Sequence, residues 1–383
     1  MDRQSGNQVK TFALFSHASY LPALLLAGEI MKKKITACRN WVMGCAFALA
    51  ASPALAQPPA GHEMPQDNGF VTLQVENDLF ANFANTDRHY TNGLQASWLS
   101  EPRQFPGWMG PLTELPIPGR SSNLYTSHHR AGVALGHVIF TPDDTDTRAL
   151  VADDRPYAAW LHLTFSLQSV YKSDSNLAIQ DQWKLDVGVV GPAALGEEVQ
   201  NNWHVLIGAD EAEGWDNQLR NELGVNLTLE RAWRSDTFAT PEVLGFETDF
   251  IPYGVLSVGN VQTYGGLGGT LRLGPSLPDD FGPPRIYPGI GGSEWFHADS
   301  SFDWYVFAGL EGRAVARDIF LDGNTFRDSH SVNKKHFVAD AKLGLVTVIG
   351  RTRISFTHLY RTREFHGQDK PDQFGSITLG WAL

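Results

Sequence analysis

Along most of this chain, apolar and polar residues take strict turns. The closing run "GSITLGWAL" places Ile377, Leu379, Trp381 and Leu383 on one face and Ser376, Thr378, Gly380 and Ala382 on the other. "QWKLDVGVV" sets Trp183, Leu185, Val187 and Val189 against Gln182, Lys184, Asp186 and Gly188, and "ELGVNLTLE" repeats the pattern from Glu222. A period of two means an extended strand with one oily and one wet face. Such segments fall at roughly 70–78, 90–99, 130–140, 158–169, 182–190, 222–233, 248–258, 263–273, 303–315, 336–348, 351–361 and 374–383. Most approach the roughly 9–11 residues that a tilted strand needs to cross a bilayer. Twelve is an even number, as a single-chain outer-membrane barrel requires. The expectation is an all-β fold, a twelve-stranded antiparallel transmembrane β-barrel over 70–383. Trp98, Trp160, Trp183, Trp233, Trp304 and Trp381 sit near strand ends, where an interfacial girdle belongs. A soluble sandwich or closed barrel shows the same alternation with the oily face turned inward, so the direction of that face separates the two.

The N-terminus fits export. From Met31 the chain reads "MKKKITACRNWVMGCAFALAASPALAQ": a basic start, an apolar stretch from Trp41 and an Ala54-Leu55-Ala56 ending suited to signal peptidase. Residues 31–56 are read as a signal peptide, 1–30 as a mis-called start and 57–69 as a short lead into the barrel. Both cysteines, Cys38 and Cys45, fall in the signal, so stability after export comes from something other than disulfides. Residues 1–56 hold six of the 30 basic and two of the 42 acidic residues, leaving the remainder near −16. That balance argues against a nucleic-acid partner, which needs a basic face. It suits a surface that meets divalent cations.

One segment breaks the alternation. "PAALGEEVQNNWHVLIGADEAEGWDNQL", 192–219, reads as a helix from about Ala193 to Gly208, a short helical insert between strands five and six, with Pro192 at its start. Gln200 and His204, four apart, share a face of it. The first hairpin is the other anomaly: "LQVENDLFANFANTDRHYTNGLQASW" gathers Asn77, Asp78 and Thr91 where a turn needs a single Asn or Gly. With both termini periplasmic, every connection after an odd strand is extracellular, so the hairpin and the helix share the outer rim. Parity sends Asp78 and Thr91 into the lumen and puts Asn77 on the oily side, which requires the strand to end or bulge there. The same count makes 100–129 and 274–302 periplasmic, unusually long for that side.

His204 is the side chain in this set that exchanges a proton near neutral pH. Asp78 with the Asn77 and Thr91 oxygens suits a hard cation such as calcium. A metal beside a general base hydrolyses esters, the ion polarising the carbonyl and the base activating water. No G-x-S-x-G elbow occurs, so a serine nucleophile of that type is not indicated.

"VENDLF…TDRHYTNG", then "DDRPYAAWLHL", then "EEVQNNWHVLIGADEAEGWDNQL" resembles the outer-membrane lipid A 3′-O-deacylase family, from about Phe70 to the C-terminus. The resemblance implies an outer-membrane barrel that uses calcium (Ca2+) to remove the 3′-linked acyloxyacyl group of lipid A, the anchor of lipopolysaccharide. It places the family's Asn-Asp pair on Asn77 and Asp78, its threonine on Thr91, and its helix Gln and His on Gln200 and His204. Asp210 stands where a Glu is expected, and Arg148 is the nearest basic residue in the loop after strand three; both would bind substrate. Two other readings stand beside this one. A non-enzymatic barrel, either a channel or a surface binding protein, would use lumen-facing Lys184, Asp186, Glu222 and Glu230 to line a pore. An outer-membrane phospholipase would keep the chemistry and change the lipid.

Overall fold

The computed structural model describes residues 68–82, 89–104, 106–113, 125–173, 177–235, 240–243, 245–288, 292–298 and 302–383. The stretch read as a signal peptide, the start before it and nearly all of the 57–69 lead lie outside them. The strands are β1 (Phe70–Asn77), β2 (His89–Leu99), β3 (Tyr125–Thr141), β4 (Ala158–Lys172), β5 (Ala178–Val190), β6 (Glu222–Arg234), β7 (Thr240–Val243), β8 (Phe246–Gly259), β9 (Gln262–Gly274), β10 (Asp303–Asp318), β11 (Phe337–Ile349), β12 (Thr352–Arg361) and β13 (Asp372–Ala382). Each pairs antiparallel with its neighbour; β1 pairs β13 from Phe70↔Ala382 to Asn77↔Gly375, and β6 pairs β8. Twelve strands therefore close on themselves, and β7 is a short hairpin appended to β8. Closure leaves no sheet edge, the condition for backbone to sit in hydrocarbon.

The oily face points outward. Leu73, Leu94, Leu135, Leu163, Leu185, Leu223, Leu267, Leu310, Leu343 and Ile377 are all exposed, while the alternate positions Thr72, Gln74, Ser97, Thr164, Asn226, Glu311 and Arg353 are buried. That orientation excludes the soluble alternative. Trp381 is exposed on the outer wall, but Trp160 is buried and stacks on His162 with ring centroids 4.0 Å apart, so it lies outside the girdle expected of it.

The long periplasmic insert after β9 is real, and it turns back into the barrel. Residues 280–288 and 292–298 fill the lumen. Arg272 bonds Asp280 at 2.7 Å, Arg285 bonds Asp340 at 2.8 Å, and Arg353 donates to the Ser293 carbonyl at 2.8 Å. Trp295 donates to Gln180 at 2.9 Å, and Phe296 meets the Phe70 ring at 5.1 Å between centroids. Gln74 donates to the Pro284 carbonyl. Tyr287 at the tip stacks on Tyr90 and packs against Phe140 and Phe320. The lumen is a polar core rather than an open pore, so the residues expected to line a channel face a filled interior.

Asp340 accepts from Arg285, Arg313 and Arg361, all four side chains being buried. Removing one partner of a buried charged cluster leaves the others uncompensated, at a cost of about 3–5 kcal/mol. Asp340→Asn is expected to destabilise the barrel by at least the lower figure. The measurement is the urea midpoint at which the folded, fast-migrating form disappears on cold gel electrophoresis; an unchanged midpoint contradicts this account of the lumen.

Candidate functional site

β1 ends at Asn77, as an amide on the oily parity demands. Its Nδ2 donates to the Thr91 carbonyl at 2.9 Å and its Oδ1 accepts from the Leu79 N–H at 2.8 Å, starting the turn at Leu79–Asn82. Asp78 follows in that turn and is buried. β2 slips register against β3 between Tyr90 and Asn92, so Thr91 is the extra residue of a bulge. The Thr91 hydroxyl meets the Thr141 hydroxyl at 2.8 Å. Thr141 follows the lumen-facing Phe140 and belongs to the outward row, so Thr91 does not continue the lumen row of Gly93, Gln95 and Ser97 as parity predicts. An inserted residue reverses the alternation beyond it. Just below, Tyr90 does face inward: its hydroxyl donates to Glu76 at 2.7 Å, and Glu76 also accepts from the Ile286 N–H of the lumen segment. The hairpin is thus braced from inside while Thr91 turns to the outward row.

The expected helix is present as a turn at Pro192–Ala194 followed by helix α1 (Gly196–Ile207), closed by Gly208 in the left-handed conformation. It lies against the outer wall. Ile139 on β3 and Ala159 on β4, both outward, pack in one cluster with Tyr157, Ala194, Ala212 and Trp215, flanked by Leu161, Val189 and Val199. His137 on β3 shares a 2.8 Å hydrogen bond with the Ala194 carbonyl. Gly196 is required by the close approach: a Cβ there would sit 2.5 Å from the Trp215 ring and 2.6 Å from the Ala159 Cβ.

Gln200 and His204 share the buried side of α1. Gln200 Oε1 accepts from Trp215 Nε1 at 3.0 Å. His204 Nδ1 is bonded to the Asp210 carbonyl oxygen. A carbonyl only accepts, so Nδ1 carries the hydrogen and the neutral ring holds its lone pair on Nε2. Asp210 therefore contributes its backbone to His204 while its side chain is exposed. The opposite face of α1 presents Trp203, Val205 and Leu206, the last 74% exposed. Ile139 packs in the cluster with Trp215, the partner of Gln200, and is paired across the ladder with Asn92, which adjoins Thr91. This puts the helix and the hairpin on neighbouring strands at the same rim. Among the described residues, no hydrogen bond joins Gln200 or His204 directly to Asn77 or Thr91.

Arg148 stands apart from this group, 80% exposed and ion-paired with Glu213, whose carboxyl it holds below the usual range. The pair joins the 142–157 loop to the segment after α1, as do Glu213 N–H to Thr145 and Asn217 to the Arg148 carbonyl. Among the described residues no three His, Cys, Asp or Glu side chains form a metal-binding group. Asp78 adjoins Asn77 at the end of β1 and is buried; a carboxylate with amide and hydroxyl oxygens is a hard-oxygen set of the kind calcium accepts together with water.

Sequence reasoning missed Trp215 and Thr141, the residues that hold Gln200 and Thr91. It also missed a second rim cluster. His89 Nδ1 lies 2.6 Å from Asp372 and its Nε2 3.5 Å from Asp154, while Gln368 donates to Asp372 at 2.9 Å. Three extracellular segments meet on this one imidazole. Arg155 of the "DDRPY" run is buried on Glu364, over the Phe140 ring.

An outward-oily barrel with a helix laid on its outer wall defines an outer-membrane protein. A family model described as "Outer membrane protein LpxR" matches residues 42–383, and the chain belongs to that family. The solved structure of LpxR from Salmonella typhimurium is 21% identical over 82% of this chain and 100% of that one, with a TM-score of 0.63; at that identity the likeness speaks for the fold. The β domain of the Bordetella autotransporter BrkA (10% identity, 82% and 98% of the chains, TM-score 0.37) is more distant. So is the COG4313 outer membrane channel of Pseudomonas putida F1 (10%, 86% and 100%, 0.38). No curated protein matches the sequence.

Two outcomes are expected. Gly196→Val should lift α1 from the wall and cost about 1–3 kcal/mol of local packing, seen as faster proteolysis within 192–219 while the barrel stays folded. Burial alone would raise the Asp154 carboxyl, but its hydrogen bonds with His89 and the attraction of that ring hold it below the ordinary value. A depressed carboxylate gives stability that is full above its unfolded pKa and lost as pH falls through the lower folded one. Cleavage of the 142–157 loop should therefore rise on acidification below the usual carboxylate range, and Asp154→Asn should abolish that component of the pH dependence.

Proposed function

We propose that this protein is a lipid A deacylase, hydrolysing the 3′-linked acyloxyacyl ester in the outer leaflet with His204 as general base. The observation that carries the reading is the His204 Nδ1 bond to the Asp210 carbonyl, which commits Nε2 to proton transfer on the face of α1 turned toward the outer wall. Nε2 takes a proton from water, the water oxygen attacks the ester carbonyl carbon, and the imidazolium returns the proton to the departing sugar oxygen. Gln200, fixed by Trp215, and Thr91, fixed by Thr141, orient the ring and the lipid. Asp78, with Asn77 and Thr91 oxygens, would hold calcium, which when bound polarises the ester carbonyl. Arg148 and the exposed Asp210 would meet the substrate from the loop side, Arg148 taking a phosphate by exchanging its Glu213 partner. The location favours lipid as substrate: Trp203, Val205 and Leu206 extend the oily wall upward, so an acyl chain reaches the pocket sideways without leaving the leaflet. The family supports lipid A as that lipid.

Mass spectrometry of fatty acid released from purified lipid A, and in parallel from phosphatidylethanolamine, tests this. Wild type should cleave lipid A preferentially, lose activity in a calcium chelator and regain it on calcium addition. His204→Ala should fall by about 10²–10⁴-fold while still folding. Undiminished release by His204→Ala refutes the base, and equal cleavage of both lipids would make the protein a phospholipase.

A further inference from the structure

Five strands round the barrel from β2, the outer wall carries a second feature. Near the extracellular ends of β9, β10 and β11 the outward positions are Gly265, Gly312, Ala314 and Ala339, brought side by side by the pairs Gly265↔Ala314 and Gly312↔Ala339. Leu267 and Phe337, 74% and 79% exposed, stand up on either side. Between them lies a groove of about 870 Å³, within the roughly 300–1,000 Å³ typical of ligand sites. Its upper mouth is formed by Lys335, just before β11, and Thr362 and Arg363, just after β12. Arg313 also borders it, but its guanidinium is engaged across the wall by Asp340 and Glu311. Neither Lys335 nor Arg363 has a carboxylate partner among the described residues, and no acid lines the groove. In a chain of net charge −12, two cations over an oily slot are a local reversal of sign.

A lipid-facing wall is always wetted by acyl chains, and that alone demands neither a hollow nor a charge. Apolar depth at membrane level with cations at the headgroup level matches one shape: an acylated molecule with phosphate at its polar end. We propose that this groove is a specific binding site for a phosphorylated glycolipid of the outer leaflet, lipid A, held beside the barrel and remote from α1. Its acyl chains would lie over Gly312 and Ala314 between Leu267 and Phe337, and its phosphate would take Lys335 and Arg363.

The substitution Gly312→Phe fills the groove without disturbing the wall, because nothing lies within 4 Å of a Cβ built there. Lys335→Ala/Arg363→Ala removes the charges and leaves the groove open. Both are made in the full barrel carrying His204→Ala, so no bound lipid is turned over. Native mass spectrometry in detergent then counts lipids retained on titration with bis-phosphorylated lipid A, with dephosphorylated lipid A and with phosphatidylglycerol. The parent should hold one more lipid A per barrel than Gly312→Phe, and the double variant should bind that lipid about tenfold or more weakly. Dephosphorylated lipid A should not fill the site, and phosphatidylglycerol, with one phosphate and only two acyl chains, should be retained more weakly than bis-phosphorylated lipid A. Equal lipid counts in the parent and Gly312→Phe, or equal retention of all three lipids, overturn the proposal. The difference between parent and filled groove is independent of whether α1 binds lipid, so failure of the deacylase reading leaves this result intact.

Discussion

Everything in this molecule depends on the ladder between its first and last strands. In hydrocarbon an unpaired peptide group costs several kcal/mol, so a spanning sheet must close. β1 meets β13 over eight consecutive pairs, which places Asn77 level with Gly375 at the outer rim and Phe70 level with Ala382 at the inner one. That closure fixes the tilt and the inside–outside alternation of every strand between. Because β1 and β2 then emerge at the outer rim with set parity, the hairpin between them needs only one irregularity, the extra residue at Thr91, to present polar groups on the outside of a greasy surface.

Closure creates a second problem, the interior. A twelve-strand barrel is too wide for facing side chains to fill, and the lumen here is lined by arginines and carboxylates whose burial is costly unless each is paired. Residues 280–288 and 292–298 solve both difficulties, supplying Asp280 to Arg272 and Arg285 to Asp340 and Glu311 while their aromatic side chains take up volume. Its tip accounts for part of the site's rigidity: Ile286 and Tyr287 fix Glu76 and Tyr90, the residues flanking the bulge. Order in the plug thus passes through the wall to the hairpin.

Strand number, strand limits within a few residues, the helix and its shared Gln200–His204 face were legible because each is written as a local period, two or 3.6, in the sequence. The polar hairpin was legible as an excess of side-chain ligands over what a turn needs. What escaped was non-local. A bulge leaves no mark in the sequence of its own strand, so the outward turn of Thr91 was unreadable without Thr141. The plug has neither period, and although Arg272 is close in sequence to Asp280, Arg353 and Asp340 bind it from strands 60 and 55 residues away. His89 reads as an ordinary turn residue until Asp154 and Asp372 close on it. Arg148 looked like the basic group of its loop, whereas Glu213, 65 residues later, claims it.

The position of α1 decides how such a protein can meet a lipid. A helix inside the mouth would have made the lumen the route of access, and the plug closes that route. The helix is laid on the outer face of β3 and β4, with the Gln200 and His204 side toward the wall and Trp203, Val205 and Leu206 away from it. On the deacylase proposal, a substrate with several acyl chains would keep most of them in the membrane while one ester reached the helix from the side. The cost of extraction, about 0.8 kcal/mol for each methylene exposed to water, is avoided for every chain not being cut. On that proposal the barrel acts as a fixed scaffold at a chosen depth, and its outer wall, not its lumen, would be the working surface.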